Sequence, residues 1–312
     1  MALPEEQYNA ILNLYRNRNL ADIVELEKRI EWMTKQYGKK LAKTVQSHTT
    51  GLGTIDTRYT TLIESEIDKA VLTYQKELTT LLDTNILVAA KTTGEGRRLA
   101  TKLLVSFFAD EVKNSIEKEL LNRQIYGTGL AKNVRNKVFS MRFADGKKLS
   151  ERIWDFTKIS RENLHGIVNA GISQGRSAVE ISKSIDKYLG VTGKAYTTAI
   201  KPSITGRGTV KYNALRMARS EINIAYHIAH QEGAVKSPLV VGVRWNLSGS
   251  HPKYDICDEL ATQDLYGLGK GVYPPKHMPE YPHPNCFCHK TDVLAKGQQL
   301  MKIIDQINKG VA

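Results

Sequence analysis

The chain has 312 residues, with 45 Lys and Arg against 32 Asp and Glu, a net charge of +13, and 41% apolar side chains. That length can bury a real core over two or three domains. No apolar run approaches the roughly 18 to 20 residues of a membrane span, which points to a soluble protein without a membrane partner, and residues 1–6 are too polar for a secretory leader.

The first third reads as long helices. Ile23, Leu26, Ile30, Met33, Tyr37, Leu41 and Val45 recur every three or four residues, with charged side chains mostly on the other faces. A Gly-containing loop around 47–53 ends this stripe. A second stripe runs from Ile55 through Ile67, Leu78 and Ile86 and closes at Thr92-Thr93-Gly94-Glu95-Gly96. Leu99, Leu103, Phe107, Val112, Ile116 and Leu120 mark a third, broken at Gly127-Thr128-Gly129. Long helices with short loops favour antiparallel neighbours, so residues 1–148 are expected to form an elongated helical arm separate from the rest of the chain.

A more compact helical part is expected over 149–235. It opens with a short helix capped by Ser150 and continues with one over 161–170. A third spans 177–189 and starts with Ser177 and Glu180 in the pattern of a capping box. The Gly/Thr-rich stretch 190–209 lacks periodicity and reads as a mobile insertion. A helix then covers about 210–232. The β-branched alternation of 239–245 predicts a strand, with 287–293 as its partner. Residues 236–295 thus form a small knuckle and 296–312 return to helix. The expected fold is mainly α with a small β-containing C-terminal knuckle.

The positive charge is concentrated. Residues 121–148 hold Arg123, Lys132, Arg135, Lys137, Arg142, Lys147 and Lys148 against Asp145 alone, and 187–220 hold seven basic residues and no acid. Such windows attract a polyanion through phosphate neutralisation. With no base-reading motif beside them, contact with double-stranded DNA through Lys132, Arg135, Lys137, Lys201, Arg207 and Lys211 would be indifferent to sequence. Solvated basic loops are the plainer explanation.

All three cysteines and four of the eight histidines fall in one C-terminal window: His251, Cys257, His277, His283, Cys286, Cys288 and His289. Cys257, His283, Cys286 and Cys288 offer the soft donors that zinc prefers in a closed structural site, with His251 or His289 as substitutes. The segment is rich in Pro and Gly and short of apolar periodicity, a deficit that metal binding would offset by coupling to folding. Against this, the cysteines could be small buried apolar residues. A disulfide from Cys257 to Cys286 or Cys288 would leave an odd thiol.

Taken in order, Met217-Ala218-Arg219-Ser220-Glu221, Arg244-Trp245, the segment from His251 through Cys257-Asp258-Glu259-Leu260, and His283-Pro284-Asn285-Cys286-Phe287-Cys288 resemble the head morphogenesis domain of tailed bacteriophages, the family named after the F protein of phage Mu. The resemblance covers about residues 150–295. It departs at Phe287, where the family commonly has Arg. It implies a compact α+β head morphogenesis domain, with Arg219, Glu221 and Trp245 as its structural motif. It also implies a minor head protein, made in the host cytoplasm and carried in the virion. There it would be associated with the portal inside the capsid, near packaged DNA, with portal and capsid or scaffold proteins as partners.

An assembly role is favoured over catalysis. Arg219 and Glu221 on one helix most simply form an ion-paired or capped surface, or a pair that orients the following strand, although an Arg with a Glu also serves ADP-ribosyl transfer. A zinc-dependent nuclease would use Asp255 or His251 beside an open metal position, but four donors point to a closed site. Neither His-Glu-x-x-His nor a phosphate-binding Gly/Lys loop is present. A nucleic-acid-binding protein outside a virion is the other alternative.

Overall fold

The computed structural model describes residues 4–123, 127–143, 145–191, 208–249, 251 and 254–309. Among them are nine helices: α1 (Glu5–Gln46), α2 (Thr60–Val105), α3 (Asp110–Asn122), α4 (Thr128–Ser140), α5 (Leu149–Ser173), α6 (Ala178–Leu189), α7 (Val210–Lys236), α8 (Ile256–Thr262) and α9 (Gly297–Asn308). Three short strands, β1 (Val240–Asn246), β2 (Val272–Tyr273) and β3 (His289–Leu294), form an antiparallel sheet in the order β2-β1-β3. The fold is therefore mainly α with a small β element near the C-terminus, as the hydrophobic periods predict.

The chain divides into two compact units that do not follow the expected arm. One comprises residues 1–23, 84–138 and 219–312, and the other 24–83 and 139–218. Residues 1–148 thus belong to both, and the N-terminal end of α1 is part of the unit that carries the cysteines. Periodicity shows that a helix has an apolar face but not which distant segment covers it.

In the second unit, the α1 stripe of Leu26, Ile30, Met33, Tyr37, Leu41 and Val45 is buried, and so are Ile63, Ile67, Tyr74, Leu78 and Leu82 of α2. The tyrosines Tyr37 and Tyr74 meet at 5.1 Å between ring centroids, and Thr34 Oγ1 lies 3.0 Å from the Tyr74 hydroxyl, so the Tyr74 tip is satisfied inside the apolar layer. The two short helices expected after residue 149 are one continuous helix, α5, whose first turn is closed by Glu151 accepting from the Lys148 N–H at 2.7 Å. Its His165 Nε2 stands 2.8 Å from Asp68, and Asn169 donates to Glu64 at 2.9 Å, both on α2. Helix α6 begins with the predicted box: the Glu180 N–H donates to Ser177 Oγ at 3.3 Å and Glu180 accepts from the Ser177 N–H at 2.9 Å. It ends at Gly190 with φ +79, a left-handed cap. Most of the stretch 190–209 lies outside the described residues.

In the first unit, α2 runs through Thr92-Gly96 without a break. Gly96 is there because a Cβ would come within 2.6 Å of the Tyr15 side chain; the close approach of α1 and α2, and not a helix end, requires it. A break does fall after residue 105, and α3 begins at Asp110. On α4, Leu130, Ala131, Val134 and Val138 are buried. In the sheet, Val243 pairs with Tyr273 on one side and Asp292 on the other, and Trp245 pairs with Lys290. Behind it lies one apolar cluster built from Tyr8 and Leu12 of α1, Ala100 and Leu104 of α2, Ile116 and Leu120 of α3, the strands, Leu300 and Ile307 of α9, and all three cysteines. The knuckle therefore shares a core with five helices, counting Ala234 of α7, where the Pro/Gly-rich sequence predicts a module too poor in apolar residues to have one.

Candidate metal centre

Helix α8 sets Cys257. Asp255 caps it, accepting from the Cys257 N–H at 2.7 Å, which turns the cysteine inward on the first helical residues. Cys286 and Cys288 arrive on the loop before β3. Asn285 takes the left-handed conformation (φ 61), its N–H donates to Ser220 Oγ of α7 at 3.2 Å, and the Cys286 N–H closes the turn on the His283 carbonyl at 3.3 Å. The hydroxyl of Tyr281 donates to the Cys286 carbonyl at 3.1 Å, and His227 Nε2 donates to the Cys288 carbonyl at 3.1 Å while its ring stacks on Trp245 at 5.5 Å. Side chains from α7 and β1 thus hold the backbone of the donor loop.

The result is a buried cluster of three cysteines that could hold a metal ion. Cys257, Cys286 and Cys288 are at most 3% exposed, and their sulfurs lie within 4.8 Å of one another. All three are free thiols, so neither disulfide considered from the sequence forms. Cys257 Sγ is 3.5 Å from Cys286 Sγ and 3.4 Å from His283 Nε2, and Cys288 Sγ is 3.9 Å from His251 Nδ1. Tetrahedral zinc, with Zn–S about 2.3 Å and Zn–N about 2.0–2.1 Å, needs S···S near 3.8 Å and S···N near 3.6 Å. The donor set fits.

Both histidines have one ring nitrogen facing a sulfur and the other hydrogen bonded to oxygen. His283 Nδ1 donates to the Pro284 carbonyl at 3.1 Å, and His251 Nε2 is 2.8 Å from Asp258 Oδ2. A ligating imidazole is oriented in this way by its outer partner. Asp255 belongs with them: it joins Cys257 and His283 in one close group and His251 and Asp258 in another. His289 does not join. It sits on β3 opposite Asn246, half-buried, its imidazole pushed down to about 4 by burial and the charge of Arg16. His277 stacks on Tyr266 at 5.7 Å.

The thiols share one proton deficit. The Cys286 thiol donates to Cys288, pulling Cys288 down to about 5 and Cys286 well up, while burial pushes Cys257 up to about 12. Three sulfurs this close cannot all ionise in a low dielectric, and a cation among them reverses that preference.

The other residues singled out in the sequence behave differently. Trp245 is 1% exposed and Glu221 fully buried, so Glu221 is a core position of α7 and not part of a surface. Lys132 is exposed on α4, Arg135 is half-buried, and Lys137 meets Glu232 at 2.9 Å. Arg123 pairs with Glu119, Arg142 approaches Glu151 at 3.9 Å and Lys147 pairs with Asp155, so acids from outside or beside the window neutralise much of it. Lys211 is 9% exposed. Lys201 and Arg207 lie outside the described residues. Sequence reasoning missed Asp258, His227, Tyr281 and Ser220. For Asp258 the signal was present, as an acid three residues after a capping Asp; the others are reached only through the tertiary fold.

Compared with known proteins, the chain matches no family model, no curated protein and no solved structure.

Proposed function

We propose that the chain is a minor head protein of a tailed bacteriophage, bound near the portal inside the capsid and touching packaged DNA without regard to sequence. One observation carries this reading: the motif pieces that resemble the Mu F family lie, from Arg219 to Cys288, in a single unit. Ser220 receives the Asn285 N–H, and His227, one helical turn and a half beyond Glu221, stacks on Trp245 and binds Cys288. In this reading Cys257, Cys286 and Cys288, with His283 or His251 as fourth donor, bind a structural zinc that supplies a cross-link between α8 and the β3 loop. A zinc held by three sulfurs and a histidine would have no open position for a nuclease water. Mass spectrometry of purified particles from the phage or induced prophage encoding the chain tests the role. Peptides of this chain are expected at few copies per particle, and their absence from DNA-filled heads would overturn it.

A further inference from the structure

Away from the cysteines, the unit made of residues 24–83 and 139–218 contains a cavity of about 280 Å³ lined by Lys28, Glu31, Trp32, Lys35, Val191 and Lys211, together with Thr34. Lys28, Trp32 and Lys35 follow one another at four- and three-residue steps, so α1 presents them on one face. Trp32 is 65% exposed, so a face of its indole is open. Lys28 is engaged by Glu25 at 2.6 Å. Lys35 and Lys211 have no acidic partner among the described residues.

Lys211 is the residue that asks for a ligand. It is only 9% exposed, it lines the cavity, and it makes no ion pair or side-chain hydrogen bond among the described residues. It is the second residue of α7, and a cation at a helix N-terminus opposes the macrodipole. An anion in the cavity would relieve that opposition and meet the helix N–H groups as well. Beside that anion lies the open face of an indole.

We propose that this cavity binds a nucleotide, its phosphate on Lys211 and Lys35 and its base stacked on Trp32. At 280 Å³ the space lies near the small end of ligand pockets and suits one nucleotide. The same chemistry is offered by an unstacked nucleotide of a DNA strand or by a free nucleotide. The choice of DNA rests on the phage reading above, whereas the site itself does not.

The test uses the full chain, with a labelled oligothymidylate followed by fluorescence anisotropy and with dTMP and inorganic phosphate followed by calorimetry. Trp32→Ala and Lys211→Met are each expected to weaken nucleotide binding by roughly tenfold or more, the usual loss for a stacking platform, and Trp32→Phe to retain most of it. Trp154→Ala, at an indole 53% exposed in the same unit, should change nothing. Oligonucleotide binding without dTMP binding assigns the site to DNA, and dTMP binding of similar strength assigns it to a free nucleotide. Affinity unchanged in Trp32→Ala, a surface change that the fold tolerates, would overturn the proposal, as would phosphate binding as tightly as dTMP. A chain that binds nucleotide through Trp32 yet is absent from particles would sink the phage role and leave this site standing.

Discussion

Tyr8 donates its hydroxyl proton to the Asp292 carboxylate at 2.9 Å across 284 positions of sequence, in a site where neither residue is more than 1% exposed. Arg97 completes the group: its Nη1 reaches Asp292 Oδ2 at 2.7 Å and the Tyr8 oxygen at 2.9 Å, and its Nη2 donates to the His230 carbonyl at 3.1 Å. Helices α1, α2 and α7 are thereby pinned to β3 through one buried carboxylate.

Removing one partner of such a pair leaves the other charge buried and unpaired. Arg97→Met is therefore expected to destabilise by about 3–5 kcal/mol, read as a lowered urea midpoint. The double variant Arg97→Met with Asp292→Asn should recover part of that loss. A double variant no more stable than the single one would show that packing, and not charge, sets the cost.

Gly233 of α7 lies against the same arginine, and an added Cβ would come within 2.3 Å of Arg97 Nε. Gly→Ala usually stabilises an exposed helix by up to about 1 kcal/mol. Here Gly233→Ala should lower stability, because the guanidinium cannot move without leaving Asp292. A raised melting temperature would contradict the packing described.

The buried imidazole of His230 gives a pH dependence. Burial and the nearby cations push it down to about 3, with Asp292 opposing. In the unfolded chain it titrates near about 6.5. The unfolded state thus takes up a proton that the folded state refuses, so stability falls as pH drops below about 6.5 and continues to fall toward 3, by at most about 1.4 kcal/mol per pH unit. His230→Gln should flatten the urea midpoint between pH 6 and 4 relative to the parent chain; equal slopes would place His230 in solvent.

Much of this was legible locally. The Ser177 and Glu180 box, the α1 stripe and the β1 alternation all depend on neighbours within four residues, and the structure has them. The clustering of Cys257, Cys286 and Cys288 was legible too, since donor type and spacing are properties of sequence. What was not legible is pairing over long range. Gly94 and Gly96 read as a helix end because glycine lowers helix propensity, yet Gly96 answers to Tyr15, 81 positions earlier. Arg97, Asp292 and Tyr8 carry no motif, as any one of them is an ordinary surface residue until the others arrive.

That network decides how the chain can be cut. From the sequence, a chain starting near Leu149 should fold and keep its metal. In the structure, such a chain loses Tyr8, Asn9, Arg97 and Glu5, which bond to Asp292 and to the backbone of β3, and also α3, which packs on α9. It is now expected to aggregate or to lack a cooperative unfolding transition. A soluble, cooperatively folded 149–312 fragment would restore the independent arm.

The last prediction concerns the metal. Three buried sulfurs and two outward-braced histidines predict one equivalent of zinc by elemental analysis of protein purified under reducing, chelator-free conditions. Cys286→Ser should abolish it. His283→Ala and His251→Ala should separate the fourth donor, because the true ligand's loss should weaken zinc by more than the roughly 10- to 100-fold that loss of an outer partner costs. Because the cysteines share a core with α1, α2, α3 and α9, metal removal should loosen α8 and the loop before β3, seen as faster amide exchange there, while the unit as a whole stays folded. Global unfolding on chelation would mean that the metal supplies the folding energy after all. Absence of metal from the parent chain would leave the cysteines as core residues alone.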